Sequence, residues 1–174
     1  MRNRVLSVFF LLLALPLHAQ DFSRPDVTDL TTELVMELHV GISSAVNIGE
    51  SDLGQRRYIP ITGGTFEGKG IKGEVLAGGA DWQLTRPDGV LEIHAIYSIR
   101  TDDGDVIAVD NKGIALSLPA DATSGSPARR YTRTTPKFHA PVGKYDWLNK
   151  RVFTGTITPV PQEAKVIIRV FEVQ

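Results

Sequence analysis

The sequence predicts an all-β fold: a single antiparallel domain, sandwich or barrel, with little or no helix. Three observations predict it. Apolar residues recur with a period of two in short runs, as the two faces of a strand require. Turn residues separate those runs at short intervals, the pattern of a small sandwich or barrel. No stretch of a dozen residues carries a helical period, and sixteen glycines suit sharp corners and bulges.

The first twenty residues stand apart from that pattern. MRNR supplies a basic start, VLSVFFLLLALPL an apolar run too short to span a bilayer, and LHA a small-residue end. This is the pattern of a secretory signal peptide over residues 1–20, cut after Ala19 or Gln20, with an uncleaved anchor as the alternative. The expected location is periplasmic or secreted, with no membrane span after cleavage. Residues 21–30 read as a loose lead and 31–174 as the β-domain. The chain has no cysteine, so packing and hydrogen bonds rather than disulfides must carry its stability. Without the two leader arginines, seventeen basic residues face twenty acidic ones. That balance, with no basic stripe, argues against a nucleic-acid surface.

The strands follow in order. In LVMELHVGI, residues Leu34, Met36, Leu38, Val40 and Ile42 share one face. RYIPI, IKGEVLA and DWQLT come next, then VLEIHAIYSIRT, DVIAVD and KGIALSL, then RVFTGTITP and AKVIIRVFEV. In TRPDGVL, Asp88–Gly89 suits a two-residue type I′ turn. That turn sets Gln83 opposite His94, Leu84 opposite Ile93 and Trp82 opposite Ala95. Asp81, Gln83, Thr85, Glu92 and His94 then share a polar face, and Trp82, Leu84, Ile93, Ala95 and Tyr97 an apolar one. In IRTDDGDVI, a three-residue loop Asp102–Asp103–Gly104 is preferred to a two-residue turn. It sets Ile99 against Ile107 and Tyr97 against Val109, apolar beside apolar. PADATSGSPA, residues 119–128, reads as a mobile surface loop.

Several side chains could carry chemistry. Asp81 beside His94 offers a carboxylate–imidazole pair for proton transfer. The same residues with Glu92 could hold a metal or simply form a solvated face. Trp82 and Tyr97 offer apolar area with a polar tip, as ligand cavities and ordinary cores both do. Tyr145 and Trp147 of KYDWLN could join them, with Asp146 and Asn149 close by. In RRYTRTTPKF, a guanidinium of Arg129, Arg130 or Arg133 could clamp a carboxylate with its planar fork, or decorate an edge strand; Arg133 is preferred because Pro136 and Phe138 fix its surroundings. No G-x-S-x-G elbow, phosphate loop or two-histidine metal motif is present.

RRYIPITGGTFEGKGIKGEVLAGGADWQLTRPDG, YSIRTDDGDVIAV, YTRTTPKF, YDWLNKRVFTG and VIIRVFEV, in that order and spacing, resemble the bacterial family called domain of unknown function 3237. The resemblance covers about residues 30 to 174. It implies a closed antiparallel β-barrel of calycin-like type, one domain with a cavity, and no settled reaction. Among its family-like positions, turns explain Asp88, Gly89, Asp103 and Gly104. They do not explain Asp81, Trp82, Arg133, Trp147 and Asn149. The chain departs from the family at His139, at Ala115, in the 119–128 loop and in its leader.

The expectation is an exported barrel binding a small organic molecule, with Asp81 and His94 as candidate catalytic residues. Trp82, Tyr97, Arg133, Trp147 and Asn149 are the candidate ligand contacts, and neither metal nor cofactor is expected. The reaction would be of acid–base type, isomerase or lyase, on an oxygenated aromatic or carboxylated substrate. The alternatives are a non-catalytic carrier barrel and a homodimeric interaction module without a pocket.

Overall fold

The computed structural model describes residues 29–120, 123 and 127–174. The leader, most of the 21–30 lead and half of the 119–128 loop lie outside the described residues.

Among the described residues ten strands form one sheet that closes on itself. They are β1 (Thr32–Ile42), β2 (Val46–Ser51), β3 (Gly54–Gly68), β4 (Ile71–Val75), β5 (Ala80–Thr85), β6 (Leu91–Thr101), β7 (Val106–Leu118), β8 (Arg129–His139), β9 (Phe153–Val160) and β10 (Lys165–Val173). The ring runs β1-β10-β9-β8-β7-β6, crosses to β3, and β3 returns to β1. Between β6 and β3 one ring position is shared. β5 pairs with the first half of β3 and β4 with the second, while both pair with β6. The barrel therefore has eight strand positions and every pairing is antiparallel, as the resemblance implied. β2 lies outside the ring's path, on the first half of β3. The thinnest seam is between β8 and β9, where Thr134↔Gly155 is the one ladder pair among the described residues.

Inward residues of one end form a solid core: Met36, Leu38, Phe66, Ile71, Ile99, Ile107 and Phe138 are all buried. A 3-10 turn, Asp146–Lys150, closes this end with Tyr145 and Leu148. Tyr145 donates its hydroxyl hydrogen to Asp103 in the β6–β7 hairpin, tying the cap to the barrel. The other end is looser, and the candidate site lies there.

The β6–β7 hairpin has the expected three-residue loop, with Ile99 opposite Ile107 and Tyr97 opposite Val109. The β5–β6 hairpin corrects the expectation. Arg86 and Val90 close a three-residue loop with Gly89 left-handed at φ 83°, not a two-residue turn. Trp82 is therefore opposite His94 and Gln83 opposite Ile93. One residue of slip turns one strand over relative to its neighbour. Asp81 and Gln83 share the inward face with Ile93, Ala95 and Tyr97, and Trp82 shares the outward face with His94. β1 also departs from strict alternation. Its pairing with β10 shifts between Leu34 and Met36. The bulge buries Val35, at 2% exposure, and turns Leu34 out at 50%.

Candidate functional site

The looser end of the barrel encloses a cavity of about 210 Å3. Its walls are aliphatic, with Val40, Ile59, Ile61, Ile93, Ile157 and Ile168 from five strands. Tyr97 lines it and is buried. Burial raises the proton affinity of its hydroxyl, so the phenol stays protonated and able to donate.

One wall is polar, and sequence order explains it. Arg57, Ile59 and Ile61 alternate inward along β3, and Asp81 and Gln83 along β5. Arg57 pairs with Gln83 across the ladder, and Ile59 with Asp81. The Arg57 Nε donates to Gln83 Oε1 at 2.8 Å, and Gln83 Nε2 donates to Asp81 Oδ2 at 2.6 Å. The backbone N–H of His94 donates to Asp81 Oδ1 at 3.2 Å. Gln83 thus stands between the guanidinium and the carboxyl. Desolvation raises the Asp81 pKa. The bonds from Gln83 and His94, and the more distant charge of Arg57, oppose that rise without cancelling it. A carboxyl of raised pKa facing an apolar cavity can both accept and return a proton.

The expected site residues divide among three places. Asp81 and Tyr97 face the cavity. Trp82, His94 and Arg133 lie on the outer surface, around a broad groove over β5–β8. There Trp82, 48% exposed, stacks on Tyr58 at 4.8 Å between ring centres. The His94 ring lies 2.9 Å from Asp110 Oδ1, so the imidazole is partnered outside and only its backbone meets Asp81. The Arg133 guanidinium covers the Tyr131 ring and donates to the Thr132 carbonyl. Trp147 and Asn149 belong to the closing turn at the opposite end. Trp147 packs edge-on to Phe153 at 6.1 Å. Asn149 exchanges two hydrogen bonds with the Ala140 backbone, at 2.8 and 2.9 Å. Asp81, Glu92 and His94 do not converge, and among the described residues no three His, Asp or Glu side chains are grouped as a metal site would require.

Sequence reasoning passed over Arg57 and Gln83 as site residues, and it ranked Arg130 below Arg133, whereas Arg130 is the one that lines the cavity. A signal for Arg57 was present. It sits two and four residues before isoleucines in RYIPI, a charge in phase with a buried face.

Comparison with known proteins agrees with this architecture. The family described as "Protein of unknown function (DUF3237)" matches residues 30–173. A UPF0311 protein of Rhodopseudomonas palustris strain TIE-1 is 38% identical over 133 residues, 73% of this chain and 87% of its own. A crystal structure of a beta-barrel like protein from Acinetobacter baumannii is 32% identical with a TM-score of 0.76, covering 87% of this chain and 100% of that one. A structure described as an enzyme from Penicillium herquei shares the fold at 23% identity and a TM-score of 0.66, over 87% of this chain and 98% of that one.

Proposed function

The chain belongs to the DUF3237 family, and we propose that it binds a compact organic molecule inside its barrel and moves a proton on it through Asp81. The observation that carries this reading is the Asp81 carboxyl. It faces an apolar cavity, is held by Gln83 and the His94 N–H, and has a raised pKa. The reaction would be of isomerase or lyase type, on an oxygenated aromatic or carboxylated substrate, with the Tyr97 hydroxyl of the neighbouring strand β6 as the protonated partner. Size limits the substrate: a cavity of about 150 Å3 accepts benzene, so about 210 Å3 suits one ring with small substituents. The Penicillium herquei barrel's description as an enzyme is in keeping with chemistry on this scaffold. The leader pattern supports export to the periplasm or beyond, testable by N-terminal sequencing of the extracytoplasmic protein.

The test follows proton exchange. Single-ring ketones are incubated with the protein in D2O, and the loss of their enolisable C–H signals is followed by proton NMR. Exchange that depends on Asp81, and is lost in Asp81→Asn, is the expected result. Binding without exchange, unchanged in Asp81→Asn, would leave the carrier reading in its place.

A second reading concerns the outer surface. Leu53, Trp82 and Ile114 are exposed along the same outer groove, apolar area that favours a homodimer contact. Light scattering at rising concentration, with Trp82→Glu for comparison, tests it.

A further inference from the structure

We propose that the molecule taken by this cavity is a single-ring-sized carboxylate, held head-outward at the mouth by Arg57 and Arg130. This rests on the cavity being a ligand site and assigns the class of ligand.

Three charged side chains line the cavity: Arg57, Asp81 and Arg130. Arg57 comes from β3 and Arg130 from β8, so the two cations approach the mouth from different strands. Neither makes an ion pair among the described residues, whereas most arginines elsewhere on the barrel surface do: Arg86, Arg100, Arg151 and Arg169 each hold a carboxylate. With Asp81 ionised, the charged lining among the described residues sums to one net positive charge, which a monoanion neutralises.

Gln83 explains why the nearest carboxylate does not take up Arg57. Its amide oxygen accepts from Arg57 Nε and its amide nitrogen donates to Asp81. A guanidinium has five N–H donors. Gln83 engages one of them and leaves the terminal fork, whose shape matches a carboxylate. Without this spacer Arg57 would fall onto Asp81, and each would quench the other's charge. The arrangement keeps a cation for the ligand and a carboxyl for the chemistry on one wall.

Below the rim the lining turns aliphatic, with Ile59, Ile61, Ile93 and Ile168 leading to Tyr97. A ligand matching this gradient has a charged head and an apolar body. The head stays near water at the rim, where its desolvation is least costly. The opposite orientation would bury the charge among isoleucines.

The test uses probes of one size and different heads: benzoate, benzamide, benzene and phenyl phosphate, titrated into the purified protein by NMR. Benzoate is expected to bind about tenfold or more tightly than benzamide, since charge-assisted hydrogen bonds exceed neutral ones. Salt should weaken benzoate and spare benzamide. Arg57→Met and Arg130→Met should each remove most of the benzoate preference and weaken benzamide far less. Gln83→Leu should remove it too, by releasing Arg57 onto Asp81. The salt dependence is read on the unaltered protein, so it stands even if a variant folds poorly. Equal binding of benzoate and benzamide, or a preference indifferent to both arginines, would overturn the carboxylate assignment while leaving the cavity a ligand site. Tighter binding of phenyl phosphate than benzoate would overturn it in favour of a phosphate head. If none of the four binds, the cavity reading falls together with it.

Discussion

Gly79→Ala should cost this barrel far more than a one-carbon change suggests. A Cβ at residue 79 would lie 2.5 Å from Tyr97 Cβ, 2.6 Å from the Ile96 carbonyl oxygen and 2.8 Å from Tyr97 Cα. Carbon atoms in ordinary contact are about 3.5–4.0 Å apart, so the overlap is about 1 Å. None of these atoms is the far end of a flexible side chain. Relief therefore requires the segment before β5 to move away from β6. That movement strains the bond from Ile61 N–H to the Gly79 carbonyl, now 2.8 Å. Overpacking costs about 1–3 kcal/mol and a weakened backbone hydrogen bond about 1 kcal/mol more, for a total of about 3 kcal/mol. At about 3 °C per kcal/mol for a domain of this size, the melting temperature should fall by about 9 °C. Gly89→Ala is the control. Its φ of 83° is left-handed, yet nothing lies within 4 Å of the added carbon, so only the backbone penalty of about 1 kcal/mol applies. Thermal melts of the three proteins decide the matter. A Gly79→Ala protein as stable as the parent, or one less affected than Gly89→Ala, would refute the close approach of the segment before β5 to β6. Because Asp81 is two residues on, Gly79→Ala should also weaken ligand binding in whatever fraction remains folded.

Other expectations follow from single contacts. Asp81 holds its proton more strongly folded than unfolded. Stability should therefore fall as pH rises from the ordinary aspartate value of about 3.9 through the raised native value, then level off. In urea melts across that window, Asp81→Asn should lack this fall; an identical slope in both proteins would contradict a raised pKa. Asn111 is fully buried and neither polar atom of its amide has a partner among the described residues. Asn111→Leu should therefore match or exceed parent stability, by up to about 1–3 kcal/mol, and a marked loss in denaturant melts would show that the amide is satisfied after all. Asn149→Ala removes two hydrogen bonds to the Ala140 backbone. It should cost about 1–2 kcal/mol and leave benzoate affinity untouched, since it acts at the closed end of the barrel.

The class of fold was legible because strand periodicity and turn chemistry are local. LEIHAIYSIRT alternates whatever it pairs with, and Asp102–Asp103–Gly104 reads as a three-residue loop from its own residues and those flanking it. The site was legible only in part. Asp81 and Tyr97 stood out by type, and the structure places both at the cavity. Their grouping with Trp82 or His94 depended on one turn, and the turn has three residues rather than two. Pro87, Asp88 and Gly89 are compatible with both lengths, so local chemistry did not choose. The polar face that supported the shorter turn has another origin: the inward side of β5 is itself polar where it lines the mouth.

Sequence by itself determined that this chain is an antiparallel β-domain, where most of its strands lie, though β2 went unread and β7 was read as two runs, and which side chains are unusual enough to matter. Tertiary structure decided which of them meet. Arg57 and Gln83 are 26 residues apart and touch because β3 and β5 are neighbours in a closed ring. His94 and Asp81 are close in the ladder, yet the pleat sends their side chains to opposite sides. Closure turns the inward face into a cavity and the outward face into surface. A site on the inner wall is therefore set by register, and register depends on how the whole sheet packs, which no short stretch of sequence contains.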